Sequence, residues 1–256
     1  MTAAEIAAYI GAAAWLPQLL QWLYAWLKSP KLKLLSGETI GASYTGFGQV
    51  VTLTTAISCD RRDALIKRVT LRITHEKGDK RQLTWVWLKE AQMQISMPTG
   101  ETLDFAKNQP ALALKVGPQL LAEKNITFTD REFQTKSAAT NDILLRHYDY
   151  LKKTVTDPED SLIKSKEFME AQDFFNKSFY WKEGRYDFDV ELEIVGRPSQ
   201  HKEKFVVVFT KPDVDALQAN ITLYEGQIRS MLKLHDGQQP AWPQWKWVNP
   251  TVNPFS

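Results

Sequence analysis

The chain has 256 residues, with 32 lysines and arginines against 30 aspartates and glutamates. This near balance argues against a dedicated nucleic-acid-binding protein, which usually carries a strong basic excess or a basic stripe. Cys59 is the only cysteine, so no disulfide can form within the chain. A reducing compartment, the cytoplasm, is therefore the simplest expected environment for the folded body.

The first element in chain order is an apolar segment, residues 6–27, which contains no charged side chain. As a helix it would be about 33 Å long, and the hydrocarbon core of a bilayer is about 30 Å thick. Pro17 lies in its middle, where a membrane helix tolerates proline better than a soluble helix does. We therefore predict one transmembrane helix within residues 1–30. The alternative is a helix that is buried in a soluble core or docked on a partner.

The end of this segment has the pattern of a membrane interface. Aromatic rings come first and lysines follow, an order that places the rings among lipid headgroups and the ammonium groups in water. Because lysines are favoured on the cytoplasmic side, we predict a bacterial inner-membrane protein with its N-terminus outside and its C-terminal domain in the cytoplasm. The predicted membrane-interface residues are Trp22, Tyr24, Trp26, Lys28, Lys31 and Lys33.

Small and amide side chains recur every three or four residues along the same segment and would form one stripe of the helix. In lipid, small residues let two helices approach closely, and amides can form hydrogen bonds between them. The predicted partners are the lipid bilayer and either further copies of the chain or another membrane protein. A lone anchor, with alanine as filler, is the alternative. The predicted helix-association residues are Ala7, Gly11, Ala14, Gln18 and Gln21.

After residue 30 the hydrophobic period changes to two, which indicates β-strands with one buried face. Two alternating segments, 64–76 and 81–90, flank a turn at 76–80 that carries Gly78, and together they predict a β-hairpin. Further strands are expected at 48–58, 111–116, 125–130, 185–195 and 205–210. The expected buried faces include Leu65, Val69, Leu71 and Ile73, then Leu83, Trp85 and Trp87, and then Tyr186, Phe188, Val190, Leu192 and Ile194.

A helical pattern interrupts the strands at about 136–180, where Asp157 and Pro158 have the chemistry of a helix start. Another helix is expected from about Pro212 to Leu234. The predicted fold is mainly β: an immunoglobulin-like antiparallel β-sandwich, residues 31–235, with a helical insertion. Residues 236–256 form a tail rich in proline and tryptophan with no regular element expected. Its tryptophans would lie either on lipid headgroups or, as we favour, in a strap along the sandwich.

The most unusual polar feature is a row of carboxylates on the strand 185–195. On a strand these side chains point the same way at intervals of about 7 Å, which is too far apart for them to share one metal ion readily. They are the predicted contact residues for an unidentified protein partner. The alternative is a solvated face that Arg68, Arg72, Lys202 and Lys204 neutralise across the sheet. The row consists of Asp187, Asp189, Glu191 and Glu193.

No catalytic, metal-binding or cofactor-binding motif is visible. The four histidines lie far apart, Cys59 has no second thiol nearby, and the glycines of residues 46–48 precede a strand instead of the helix that a phosphate loop requires. We therefore predict a non-enzymatic adaptor, sensor or effector that acts through protein–protein interaction and self-association. One alternative is a membrane-disrupting effector whose helices assemble into a pore lined by Gln18 and Gln21. Another is a hydrolase whose site is assembled from distant residues.

Overall fold

The computed structural model describes residues 2, 14–24, 31–60, 62–96, 102–118, 121–196 and 200–254. The strands are β1 (Lys31–Thr45), β2 (Gly48–Asp60), β3 (Ala64–His75), β4 (Lys80–Ser96), β5 (Thr102–Pro110), β6 (Leu114–Val116), β7 (Ala122–Thr129), β8 (Gly184–Ile194), β9 (Gln200–Phe209), β10 (Trp247–Val248) and β11 (Val252–Pro254). The helices are α1, described over residues 14–24, then α2 (Arg131–Thr154), α3 (Pro158–Ile163), α4 (Lys166–Lys177), α5 (Lys211–Gln218) and α6 (Tyr224–His235), with a 3-10 helix, Ala219–Leu223, between the last two.

The strands of the described residues form one 11-stranded sheet. Its main path runs β10–β1–β2–β7–β4–β3–β8–β9–β11, while β5 pairs with β4 and β6 with β3. The predicted mainly antiparallel β-structure is therefore confirmed, but the immunoglobulin-like sandwich is not. The strands are hydrogen-bonded into a single curled sheet. In a sandwich a second sheet would cover the core, whereas here residues of the helices pack into it.

The clearest alternation in the sequence predicts its strand correctly. In β8, Tyr186, Phe188, Val190, Leu192 and Ile194 are all buried. The hairpin of β3 and β4 is also confirmed, because Thr74 pairs with Lys80 across a turn in which Gly78 has a φ of +90°. Local alternation and a glycine that accepts positive φ are sufficient signals for these elements.

Two expected buried positions are wrong, and a β-bulge explains each. The register of β3 against β8 shifts between Ile66 and Arg68, so Ile66 is buried and Leu65 is exposed. The register of β4 against β7 shifts between Trp85 and Trp87, so that Trp87 is exposed. A bulge adds one residue to one strand and thereby reverses the faces of the residues beyond it.

The helices begin where side chains can cap them. The Asp130 carboxylate caps α2, which therefore starts at Arg131, before the expected position near residue 136. Asp157 caps α3 and Pro158 follows at its first turn, as predicted. The single helix expected from about residue 212 to 234 is instead α5, the 3-10 helix and α6.

The core lies between the sheet and the helices α2 to α6, and aromatic rings fill much of it. Phe175 of α4 stacks on Tyr224 of α6 with ring centroids 4.3 Å apart. The hydroxyl group of Tyr44, on β1, donates a hydrogen bond to the carbonyl oxygen of Phe175. Trp181 stacks on Phe209 of β9 at 4.6 Å. These contacts fix the helices against the sheet.

The C-terminal strap, residues 245–254, connects the two edges of the sheet. β10 pairs with β1, Thr251 bridges to Thr39, and β11 pairs with β9. The Ile40 N–H also donates to the carbonyl oxygen of Pro250 at 3.1 Å. The tail therefore contains two short strands that were not expected, and it covers strand edges that would otherwise be open.

The described part of α1 lies at the surface of the protein. Every residue from 14 to 24 is exposed, and none belongs to the hydrophobic core. Among the described residues, no helix is both long enough and apolar enough to cross a membrane.

Candidate functional site at the start of helix α2

A polar concave surface lies where β4 passes the beginning of α2. β4 pairs with β3 over residues 80–84 but pairs with β7 only from Thr84 onward. β7 ends at Thr129, and the chain then turns at Asp130 into the helix. Residues 80–83 of β4 consequently face the first turn of α2 across a gap, with no strand between them.

Two adjoining hollows occupy this gap, and we name them together the α2 cleft. One has a volume of about 360 Å³ and is lined by Arg68, Lys80 and Arg131, among others. The other has a volume of about 310 Å³ and includes Lys136 and Lys177. The two hollows share Arg81, Asp130 and Glu132.

Both carboxylates of the α2 cleft accept hydrogen bonds from within the chain, and Glu132 also has a cationic partner. Asp130 Oδ1 accepts hydrogen bonds from the backbone N–H groups of Glu132 at 2.9 Å and Phe133 at 3.1 Å. Glu132 accepts a hydrogen bond from Lys136 Nζ at 2.7 Å, and this bond holds the pKa of Glu132 below its usual value. Both carboxylates keep their charge and Arg81 also attracts Glu132, but the lining of the cleft holds six cations against these two carboxylates.

Three of these cations form no salt bridge with any described residue: Lys80, Arg81 and Arg131. The guanidinium group of Arg81 instead lies 5.3 Å from the ring centroid of Tyr180. The Tyr180 hydroxyl is buried and has no hydrogen-bond partner, and burial raises its pKa. The α2 cleft is therefore positively charged and accessible to water, a combination suited to binding an anion.

A second groove, of about 450 Å³, lies on the face of β2 and β7 next to the strap. Its walls carry the aromatic rings of Phe47, Trp245 and Trp247, and Asn125 and Lys89 supply polar groups. Trp247 is partly exposed although it lies in β10. This aromatic groove is less charged than the α2 cleft and offers stacking surfaces.

The predicted acidic row lies on the face of β8 opposite its buried residues, and the chain supplies cations to most of it. Asp189 Oδ1 and Glu191 Oε1 are buried without hydrogen-bond partners. Binding of a protein partner by this row stays a prediction. The nitrogen–oxygen distances of its ion pairs are 2.7 Å for Arg72–Glu191, 3.4 Å for Lys67–Glu193, 3.7 Å for Arg68–Glu193 and 3.1 Å for Arg185–Asp187.

The predicted membrane residues are described only in part. Ala14, Gln18, Gln21, Trp22 and Tyr24 lie on the exposed part of α1. Lys31 and Lys33 lie in β1, and Lys33 forms an ion pair with Asp60 of β2 at 3.5 Å. Their association with lipid or with other helices stays a prediction. The residues outside the described ranges are Ala7, Gly11, Trp26 and Lys28.

Sequence reasoning did not identify the α2 cleft. Its cations come from β3, β4, α2 and α4, so no spacing motif joins them. Among the described residues, no group of three or more histidine, cysteine, aspartate or glutamate side chains could hold a metal ion. Cys59 is buried at the end of β2, where burial raises the pKa of its thiol. Such a thiol is a poor nucleophile.

Comparison with known proteins found no matching family model, curated protein or solved structure.

Proposed function

We propose that the protein is a single-pass protein of the inner membrane, in which the N-terminal helix anchors a cytoplasmic recognition domain. The domain acts as an adaptor, sensor or effector by binding a partner, and the helix contributes to self-association. It performs this role without catalysis.

The exposed surface of α1 is the observation that supports this proposal. Trp15, Leu19, Leu20 and Trp22 expose 65%, 60%, 61% and 70% of their surface. Exposed apolar area costs roughly 25 cal/mol per Å² in water. The chain's own core does not remove this cost, because α1 takes no part in it. Insertion among lipid tails would remove it, as expected for a helix that is apolar on most sides.

Extraction of membranes with alkaline carbonate tests the anchor. Replacing both Leu16 and Leu20 by arginine costs about 6–8 kcal/mol for insertion at the middle of a membrane helix. We expect this variant to appear in the supernatant, while the unmodified protein stays in the pellet. The matched control replaces Leu35 and Leu112 by arginine. These two leucines lie outside α1 and expose 60% and 82% of their surface, so the control variant should stay in the pellet. Release of the unmodified protein would contradict the proposal.

Orientation is tested with introduced cysteines, because native Cys59 is buried. In a Cys59→Ala background, Thr2→Cys and Leu112→Cys each place one thiol at an exposed position. A maleimide that does not cross membranes should label the first variant on intact cells and the second only after permeabilisation. The opposite pattern would place the body outside.

Permeabilisation of the membrane by assembled helices is the competing proposal. Gln18 and Gln21 are both exposed on α1 among apolar residues, and buried amides favour contacts between membrane helices. If the helices form a pore, expression depolarises cells and the double change of both glutamines to leucine abolishes that effect. A plain anchor leaves the membrane potential unchanged in both cases.

A further inference from the structure

We propose that the α2 cleft binds a soluble ligand that carries at least two linked phosphate groups, of the oligophosphate or nucleoside polyphosphate class. This inference goes beyond membrane anchoring and concerns the folded body alone. It depends on three features of the α2 cleft: its uncompensated cations, its hydrogen-bond donors and its position in the fold.

The charge argument depends on cations that come from separate elements. Lys80 and Arg81 from β4 and Arg131 from α2 line the same hollow and form no salt bridge with a described residue, although Arg81 lies near enough to Glu132 to attract it. The carboxylates beside them are already committed, Asp130 to capping α2 and Glu132 to Lys136. Arginine and lysine together bind phosphate oxygens through charge-assisted hydrogen bonds.

Neutral donors surround the same hollow. Gln82 and Thr84 line it, and the edge of β4 at residues 80–83 has no strand partner on that side. The Gln82 amide and the Thr84 hydroxyl can each donate a hydrogen bond to a phosphate oxygen.

The shape of the cleft indicates more than one phosphate group. Arg81 lines both hollows, as do the carboxylates Asp130 and Glu132. The first hollow adds Lys80 and Arg131, and the second adds Lys136 and Lys177, which are each paired with a carboxylate on their own helix. A chain of phosphates centred on Arg81 therefore reaches cations on either side, whereas a single phosphate reaches one hollow.

The position of the cleft favours a soluble ligand over a lipid headgroup. β1 begins next to the predicted anchor and ends at Thr45, which pairs with Gly48 at the far end of the sheet. A strand of this length spans about 46 Å. The α2 cleft lies at that far end, because Gly48 approaches Phe133 in the first turn of α2.

Calorimetric titration of the full chain in detergent with sodium tripolyphosphate tests the proposal. The double variant Lys80→Gln, Arg131→Gln should weaken binding by at least about tenfold, since each substitution removes a charge-assisted hydrogen bond to phosphate. Both side chains are exposed and unpaired, so folding should be unaffected and the melting temperature should confirm this. Orthophosphate should bind at least about tenfold more weakly than tripolyphosphate, because it occupies one hollow.

The matched control removes two lysines elsewhere. Lys153→Gln, Lys164→Gln changes the net charge equally at the other end of α2 and just after α3, and its affinity should stay within about twofold of the unmodified protein. Equal weakening by both double variants would show general charge attraction only and overturn the proposal. Absence of tripolyphosphate binding at millimolar concentration would also overturn it. Binding of inositol trisphosphate without binding of tripolyphosphate would overturn it as well, because that result would identify a lipid headgroup as the ligand.

Discussion

Gly48 illustrates how one residue joins the sheet to the helices. It follows the turn between β1 and β2 with a φ of +79°, a conformation that side chains rarely adopt. A Cβ atom there would lie 2.6 Å from Cδ1 of the buried Phe133 ring in α2. Both the backbone angle and the close approach of the ring therefore require glycine.

We expect Gly48→Ala to lower the free energy of unfolding by about 2–3 kcal/mol, the sum of backbone strain and overpacking. Gly78→Ala is the matched control, because Gly78 also has positive φ but has no atom within 4 Å of the added methyl group. The control should cost about 1 kcal/mol. Urea denaturation measures both values. Equal losses of unfolding free energy in the two variants would mean that the Phe133 ring moves aside without destabilising the fold.

Among the elements, α2 and α6 are joined by one carboxylate. Asp236, at the end of α6, accepts hydrogen bonds from Lys152 Nζ at 2.8 Å and from the Tyr148 hydroxyl at 2.7 Å. These bonds, chiefly the one from Lys152, lower the pKa of Asp236. The carboxylate therefore stabilises the fold at pH values above its unfolded pKa of about 3.9, and this contribution is lost as the pH falls through the lower folded value.

Asp236→Asn should reduce stability by about 1 kcal/mol at pH 7, a value discounted for partial exposure, or about 2–4 °C in melting temperature. The difference from the unmodified protein should shrink as the pH falls from about 4 through the lower folded pKa of Asp236, because below that value both proteins are neutral at this position. Asp215→Asn makes the same charge change at a residue whose salt bridge, among the described residues, is with Lys211 on its own helix. That control should differ from the unmodified protein by less than about 0.5 kcal/mol. A pH-independent loss would contradict the electrostatic explanation.

At the scale of the whole molecule, the strap completes the fold, and Asn220 holds it in place. The Asn220 side chain is buried. Its Oδ1 accepts a hydrogen bond from the Lys246 N–H at 2.8 Å, and its Nδ2 donates to the Lys246 carbonyl oxygen at 2.9 Å. The Ser43 hydroxyl of β1 donates to the same carbonyl at 2.8 Å. One amide thus links the 3-10 helix and the strap beside β1.

Asn220→Ala should lower the free energy of unfolding by about 1–3 kcal/mol, since the part-buried Lys246 N–H loses its partner and the buried amide no longer joins the strap. It should also speed proteolysis of the C-terminal tail, because the strap then opens more often than the rest of the fold. Asn125→Ala removes an amide that accepts an exposed hydrogen bond from Thr54, and it should cost less than about 1 kcal/mol. Unchanged proteolysis of the tail in Asn220→Ala would contradict the role of this clamp.

The sequence by itself determined the features that depend on neighbouring residues. Alternation identified the buried face of β8, Gly78 marked the hairpin turn, and Asp157 with Pro158 marked the start of α3. Each depends on backbone preferences or side-chain direction within a few residues, so a short stretch carries the whole signal.

Only the tertiary structure decided the features that depend on contacts between distant residues. The bulges that bury Ile66 and expose Trp87 arise from pairing with other strands. The strap joins β1 to β9. The α2 cleft brings Arg81 near Arg131, because a single residue, Asp130, separates the end of β7 from the start of α2. Strand order and register are set by the packing of the whole sheet, and for that reason no local pattern could place these residues together.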